Sequence, residues 1–287
     1  MQVTRKTLQC LSPSGLHSIS YKEWGAPDNA RVLVCVHGLT RVADDFDALA
    51  ADLCRHYRVI CPDIVGRGHS GRLRNPLHYQ LPQYVSDMVS LLARAQADSI
   101  DWVGTSMGGL IGIGLAALEG NPIGKLVLND VGPNLNPTAL ARIADYVGQD
   151  VRFDSYAEAS KYIRAISASF GPHSEAQWDK LARDVLRQNS EGQWVRHYDL
   201  ALAQAFAATT PEMVAAGQAM LWAAYDAIRS QTFVLRGAES DLLSAATAAE
   251  MTQRGPRAQL LELAGVGHAP TLVDPVQIAA VREFLLS

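Results

Sequence analysis

Ile100-Asp101-Trp102-Val103-Gly104-Thr105-Ser106-Met107-Gly108-Gly109 is the stretch whose reading decides the fold. Its first residues form a short apolar strand, and Met107 to Leu118 continues as a helix opened by glycines. Between them the chain reads Gly-x-Ser-x-Gly, the pattern of a sharp strand-to-helix turn with an exposed serine hydroxyl. Such a turn leaves no room two residues before or after the serine, and Gly104 and Gly108 stand at those places. The helix N-terminus that follows favours developing negative charge. Ser106 is therefore the candidate nucleophile.

Working outward, short β-rich runs alternate with longer helical ones. Ser18–Trp24 reads as an early strand, Arg31–Val36 as a strand buried on both faces, and Tyr57–Cys61 as another. Lys125–Asn129, Gln231–Leu235 and Gln259–Leu263 add three more, with helices over Asp44–Arg55, Leu81–Ala95 and Pro275–Leu286. This rhythm predicts an α/β fold, a parallel sheet covered on both faces. Between Asp130 and Arg229 no strand is evident. Helical patterns occupy about Pro137–Val147, Tyr156–Ser169, Glu175–Arg187, Tyr198–Ala207 and Gly217–Ile228. That block is too long for one crossover and reads as an inserted cap. The expected division is a core of residues 1–132 and 230–287 and a helical cap of residues 133–229.

Composition narrows the class. Of 287 residues 48% are hydrophobic and 19% charged, and the net charge is −4, so the basic footprint of a nucleic-acid binder is missing. No apolar run reaches the length of a membrane span, and the amino terminus lacks a signal-like apolar stretch. The four cysteines, Cys10, Cys35, Cys54 and Cys61, contain no CxxC pair. No metal site or disulfide framework is expected, Cys35 reads as a buried thiol, and a cytoplasmic location fits.

A serine hydroxyl needs a base, and the base needs an orienting acid. His268, in Gly265-Val266-Gly267-His268-Ala269-Pro270, lies on a loop after the last strand and is the expected base. The acid is expected at Asp241, in the loop Arg236-Gly237-Ala238-Glu239-Ser240-Asp241 after the strand ending at Leu235. Glu239 in the same loop and Asp130 after the preceding strand are the rival carboxylates. The backbone amides of Met107, next to the nucleophile, and Leu39, in His37-Gly38-Leu39-Thr40, are the expected oxyanion donors. His37 itself reads as a structural histidine holding that loop, and Arg67 and Arg236 as brackets for loop structure.

Together, His37-Gly38, Asp63 with Gly66-Arg67-Gly68-His69-Ser70, Gly104–Gly109, Ser240-Asp241 and Gly267-His268 resemble the α/β-hydrolase family. The resemblance covers about Val3–Val131 and Gln231–Leu286. It implies an eight-stranded, mostly parallel sheet with helices on both faces and a helical cap after the sixth strand. It also implies cofactor-free acyl transfer to water. Haloalkane dehalogenases and epoxide hydrolases of this fold carry aspartate where Ser106 stands, so the serine points to esters, lactones or thioesters. The expected reaction is hydrolysis of a small to medium, fairly apolar carboxylic ester, with water as second substrate. A lactonase or carbon–carbon bond hydrolase with the same triad is the enzymatic alternative, and a non-catalytic ligand receptor the alternative of another class. Homo-oligomerisation is left open. For substrate contacts, Trp222 and Tyr225, at i and i+3, are candidates with Phe153, Phe170 and Phe206, core packing being the competing reading. Arg41 could meet an anionic group, or pair with Asp44 or Asp45. His69 and His197 read as structural or exposed.

Overall fold

The computed structural model describes residues 3–207 and 210–287, with side chains described for these except Phe206 and Pro211. The chain opens on a hairpin, β1 (Val3–Ser12) and β2 (Gly15–Trp24), and continues into β3 (Val32–Val36), α1 (Asp47–Leu53) and β4 (Arg58–Pro62). Next come α2 (Leu81–Ala95), β5 (Ile100–Thr105), α3 (Met107–Ala116) and β6 (Ile123–Asn129). A long insertion follows: α4 (Pro137–Tyr146), α5 (Tyr156–Ile166), α6 (Glu175–Asp184), β7 (Leu186–Gln188), β8 (Trp194–Arg196), α7 (Leu202–Ala207) and α8 (Pro211–Ala227). β9 (Gln231–Gly237), α9 (Ala245–Met251), β10 (Gln259–Leu263) and α10 (Pro275–Leu286) complete the chain.

Eight strands form one sheet in the order β1-β2-β4-β3-β5-β6-β9-β10. β2 is antiparallel to β1 and to β4, and every other pair is parallel. The period of two divides the buried strand β3 between two cores: Val32, Val34 and Val36 face one, Leu33 and Cys35 the other. The first core is covered by α2, α3, α8 and α9, the second by α1 and α10. α3 is apolar around its whole circumference because it is buried on every side, from Met107 to Ala116. No described helix is long and apolar enough to cross a membrane. All four cysteines are buried, and none forms a disulfide.

The chain runs from β3 outward to β4 and then returns to place β5 on the other flank of β3. This reversal opens a crevice at the carboxyl ends of β3 and β5, where α/β sheets hold their ligands.

The insertion differs from its sequence reading in detail. α6 stops at Asp184, three residues short of the expected helix end, and Leu186–Arg196 forms an antiparallel hairpin where no strand was expected. Its turn is closed by Asn189, whose side-chain oxygen accepts from the Glu191 and Gln193 amides. α8 begins six residues earlier than expected, at Pro211, capped by the Thr210 hydroxyl on the Met213 amide.

Candidate active site

Ser106 sits at φ 51° and ψ −115°, a left-handed conformation uncommon for a residue with a Cβ. The close approach around it explains the glycines: a Cβ on Gly108 would stand 2.0 Å from the Val36 carbonyl oxygen, and one on Gly104 2.3 Å from the Gly108 carbonyl oxygen. The turn thus packs directly against the end of β3. Gly38 abuts the serine there, with space for a Cβ only 3.7 Å from Ser106 Cβ.

His268 arrives on the loop after β10. Its Nε2 lies 2.9 Å from Ser106 Oγ, and its Nδ1 lies 2.7 Å from Asp130 Oδ2. The carboxylate fixes the tautomer: Nδ1–H donates to Asp130, so Nε2 accepts from the serine hydroxyl. Asp130 follows β6 directly, at φ 56°, and its side chain is fully buried. It also accepts from the Gly237 amide at 2.9 Å and from the Ser240 hydroxyl at 2.7 Å.

The acid on His268 is therefore Asp130, which corrects the expectation of Asp241. β6 lies beside β5 in the sheet, whereas β9 lies one strand further away. The loop after β9 brings Ser240 to the site as a donor to Asp130. Asp241, with a side chain 46% exposed, pairs instead with Arg142 at 2.8 Å. Glu239 is not on the histidine either; its amide donates to the Val266 carbonyl at 2.9 Å.

The amides of Leu39, next to Gly38, and of Met107, next to the serine, have no protein acceptor among the described residues. The loop holding Leu39 is fixed from two sides. His37 Nδ1–H donates to the Gly38 carbonyl at 2.7 Å while its Nε2 accepts from the Ile64 amide at 2.9 Å. Burial pushes the His37 imidazole down to about 4, so it is a neutral bracket near neutral pH. Arg67 is fully buried and donates to the Leu39 carbonyl at 2.8 Å, the Val65 carbonyl at 2.7 Å and the Tyr84 hydroxyl at 3.0 Å. Its other terminal nitrogen lies 3.5 Å from Met107 Sδ, so one guanidinium touches both Leu39 and Met107.

Ser106 and His268 open into a cavity lined also by Leu39 and, from the insertion, by Ile143, Tyr146, Ile163 and Phe170. The insertion also holds the histidine loop. The Ser169 carbonyl accepts from the Gly267 amide at 2.7 Å, and its hydroxyl donates to the His268 carbonyl at 2.8 Å. Arg41 lines the cavity and is paired in fork geometry with Asp45, at 2.7 and 2.6 Å.

Trp222 and Tyr225 do not line that cavity. Tyr225 is buried in the first core and donates to the Met251 carbonyl at 2.8 Å, while Trp222 stacks edge-on against it and under Arg254. Their helical spacing reflects the face by which α8 docks on the body. Phe153 packs on Tyr162 at the foot of the hairpin, and the Phe206 side chain lies outside the described residues. Tyr146, Ile143 and Ile163 were missed by sequence reasoning, since an apolar helical face reads the same whether it covers a core or a cavity.

A sequence model of the alpha/beta hydrolase family matches residues 33–281, and the chain belongs to that family; it is an enzyme, a serine hydrolase. It is 52% identical over 280 residues to the 3-hydroxybutyrate-oligomer hydrolase of Cupriavidus necator, covering 96% of each chain. Among solved structures it is similar to an alpha/beta hydrolase from Novosphingobium aromaticivorans, with a TM-score of 0.86, 35% identity and 98% of each chain covered. A solved protein from Rickettsia typhi superposes with a TM-score of 0.89 at 31% identity, covering 100% of this chain and 99% of that one.

Proposed function

We propose that this chain hydrolyses the ester bonds of short linear oligomers of a 3-hydroxybutyrate-type acid, through an acyl-enzyme on Ser106. The observation that carries the chemistry is the continuous relay Asp130–His268–Ser106, at 2.7 and 2.9 Å. The substrate class is supported by the similarity to the Cupriavidus necator enzyme, which extends over 96% of both chains.

In the first half-reaction Ser106 Oγ forms a bond to the ester carbonyl carbon as His268 Nε2 takes its proton. The oxyanion is held by the Leu39 and Met107 amides. Collapse breaks the bond to the alkoxy oxygen, which receives the proton from the imidazolium and leaves as the free hydroxyl of one hydroxy acid. In the second half a water gives a proton to His268 and adds to the acyl carbon. Breaking the Ser106 ester bond returns that proton to Oγ and releases the second acid. Asp130 stabilises the imidazolium in both halves without itself taking the proton.

The segment of residues 133–229 acts in this reading as the cap over the acyl site, supplying Ile143, Ile163 and Phe170 to its wall. Four buried thiols without disulfides support a reducing cytoplasm as its setting. The test is turnover of the 3-hydroxybutyrate dimer and of p-nitrophenyl butyrate by the wild type and by Ser106→Ala. The variant should lose activity by about 10⁴-fold or more, because the relay works as a unit. Retained turnover in Ser106→Ala would sink the assignment.

A further inference from the structure

The cavity contains a buried cation with no ion pair among the described residues, which the Asp150 carboxylate reaches only electrostatically. Arg196, the last residue of β8, lines the cavity that Ser106 and His268 share and is only 5% exposed. The other two arginines in that cavity are neutralised, Arg41 by Asp45 and Arg142 by Asp241. Arg196 forms no ion pair among the described residues. Its two terminal nitrogens donate to the Tyr146 and Gln149 carbonyls, and its Nε–H has no partner. A guanidinium has five N–H donors, so three remain.

Tyr198, two residues on, is also 5% exposed and lines the same cavity, and its ring lies 4.9 Å from the Arg196 guanidinium. Its hydroxyl proton has no acceptor. Burial pushes the phenol up to about 12, so it remains a donor at neutral pH. Removing an unpaired guanidinium from water is unfavourable, and a buried donor left without a partner adds to that. Both costs are offset if a ligand brings a carboxylate, the group that fits a guanidinium fork.

We propose that Arg196 and Tyr198 form a carboxylate-binding subsite that takes the free acid end of the substrate and so favours anionic hydroxy-acid esters over neutral ones. The proposal rests on the Ser106 reading above and names what that site selects. The same cavity is lined by Ile163 and Phe170, apolar surface for the hydrocarbon part of the ester. The cavity thus offers the substrate both apolar surface and a cation.

The experiment compares the linear 3-hydroxybutyrate dimer with its methyl ester, measuring kcat/KM for both on each enzyme preparation. The ratio of the two values is independent of how much of a preparation is folded. Wild type should favour the free acid. In Arg196→Gln that preference should fall by about tenfold or more, the worth of a charged hydrogen bond, and in Tyr198→Phe by a smaller factor in the same direction. The loss should fall mainly on KM for the free acid. Serine-dependent turnover of both esters with an unchanged ratio in Arg196→Gln and Tyr198→Phe overturns the subsite alone. Turnover that survives Ser106→Ala overturns the reading beneath it.

Discussion

Asp130 accepts from an imidazole, a backbone amide and a hydroxyl, and its buried carboxylate has no contact with solvent. Replacing it by asparagine keeps the size but removes the charge that selects the Nδ1–H tautomer, so Asp130→Asn should lower kcat by about 10³–10⁴-fold. Asp241→Asn breaks a half-exposed ion pair with Arg142 and leaves the relay intact, so turnover of the neutral ester p-nitrophenyl butyrate should stay within about twofold of wild type. The reverse pattern in steady-state kinetics would return the acid to Asp241. Ser106 and His268 were legible in the sequence because steric demand writes small residues around the turn, and because the base stands on a loop of its own. The acid was not legible. Two strand ends each offer an aspartate, and only the lateral distance between strands, a tertiary quantity, separates them.

At the scale of elements, the buried strands were readable because burial on both faces leaves a continuous apolar run, as in Val32–Val36. The hairpin of β7 and β8 was not, since each strand is three residues long, too short for alternation to show. α8 illustrates a different limit. Trp222 and Tyr225 were correctly placed on one helical face, but periodicity does not say what a face covers. Because Tyr225 ties α8 to the end of α9 through the Met251 carbonyl, Tyr225→Phe should cost about 1 kcal/mol in urea unfolding. Its kcat/KM for the dimer should stay unchanged, whereas a pocket role would show as a raised KM.

For the molecule as a whole, pH acts on stability through two histidines that folding shields from water. Burial pushes His37 down to about 4, while in the unfolded chain histidine protonates near 6.5. The folded value is the lower one, so this contribution is complete above about 6.5 and is lost as pH falls towards 4. His197, also pushed down to about 4 by burial, acts in the same direction, discounted for its partial exposure. Asp184 opposes them: burial raises it to about 6, so it gains a proton on the folded side as pH falls through that value. The net expectation is a loss of about 1–2 kcal/mol between pH 7.5 and pH 5, read from denaturant midpoints. A stability that rises over that interval would contradict it.

The insertion also meets the body along a short backbone seam. Arg67 and Tyr198 pair as an isolated antiparallel bridge, flanked by hydrogen bonds from the Gly68 amide to the His197 carbonyl and from the Asp199 amide to the Gly66 carbonyl. Arg67 is the residue whose side chain braces Leu39 and Met107. One short seam thus belongs both to the proposed cap and to the loop of the proposed oxyanion donors. Changes of diet and changes of pace are mechanically joined here: libraries over residues 196–199 will alter scope and turnover together, and libraries over the hairpin tip at 189–193 will alter neither.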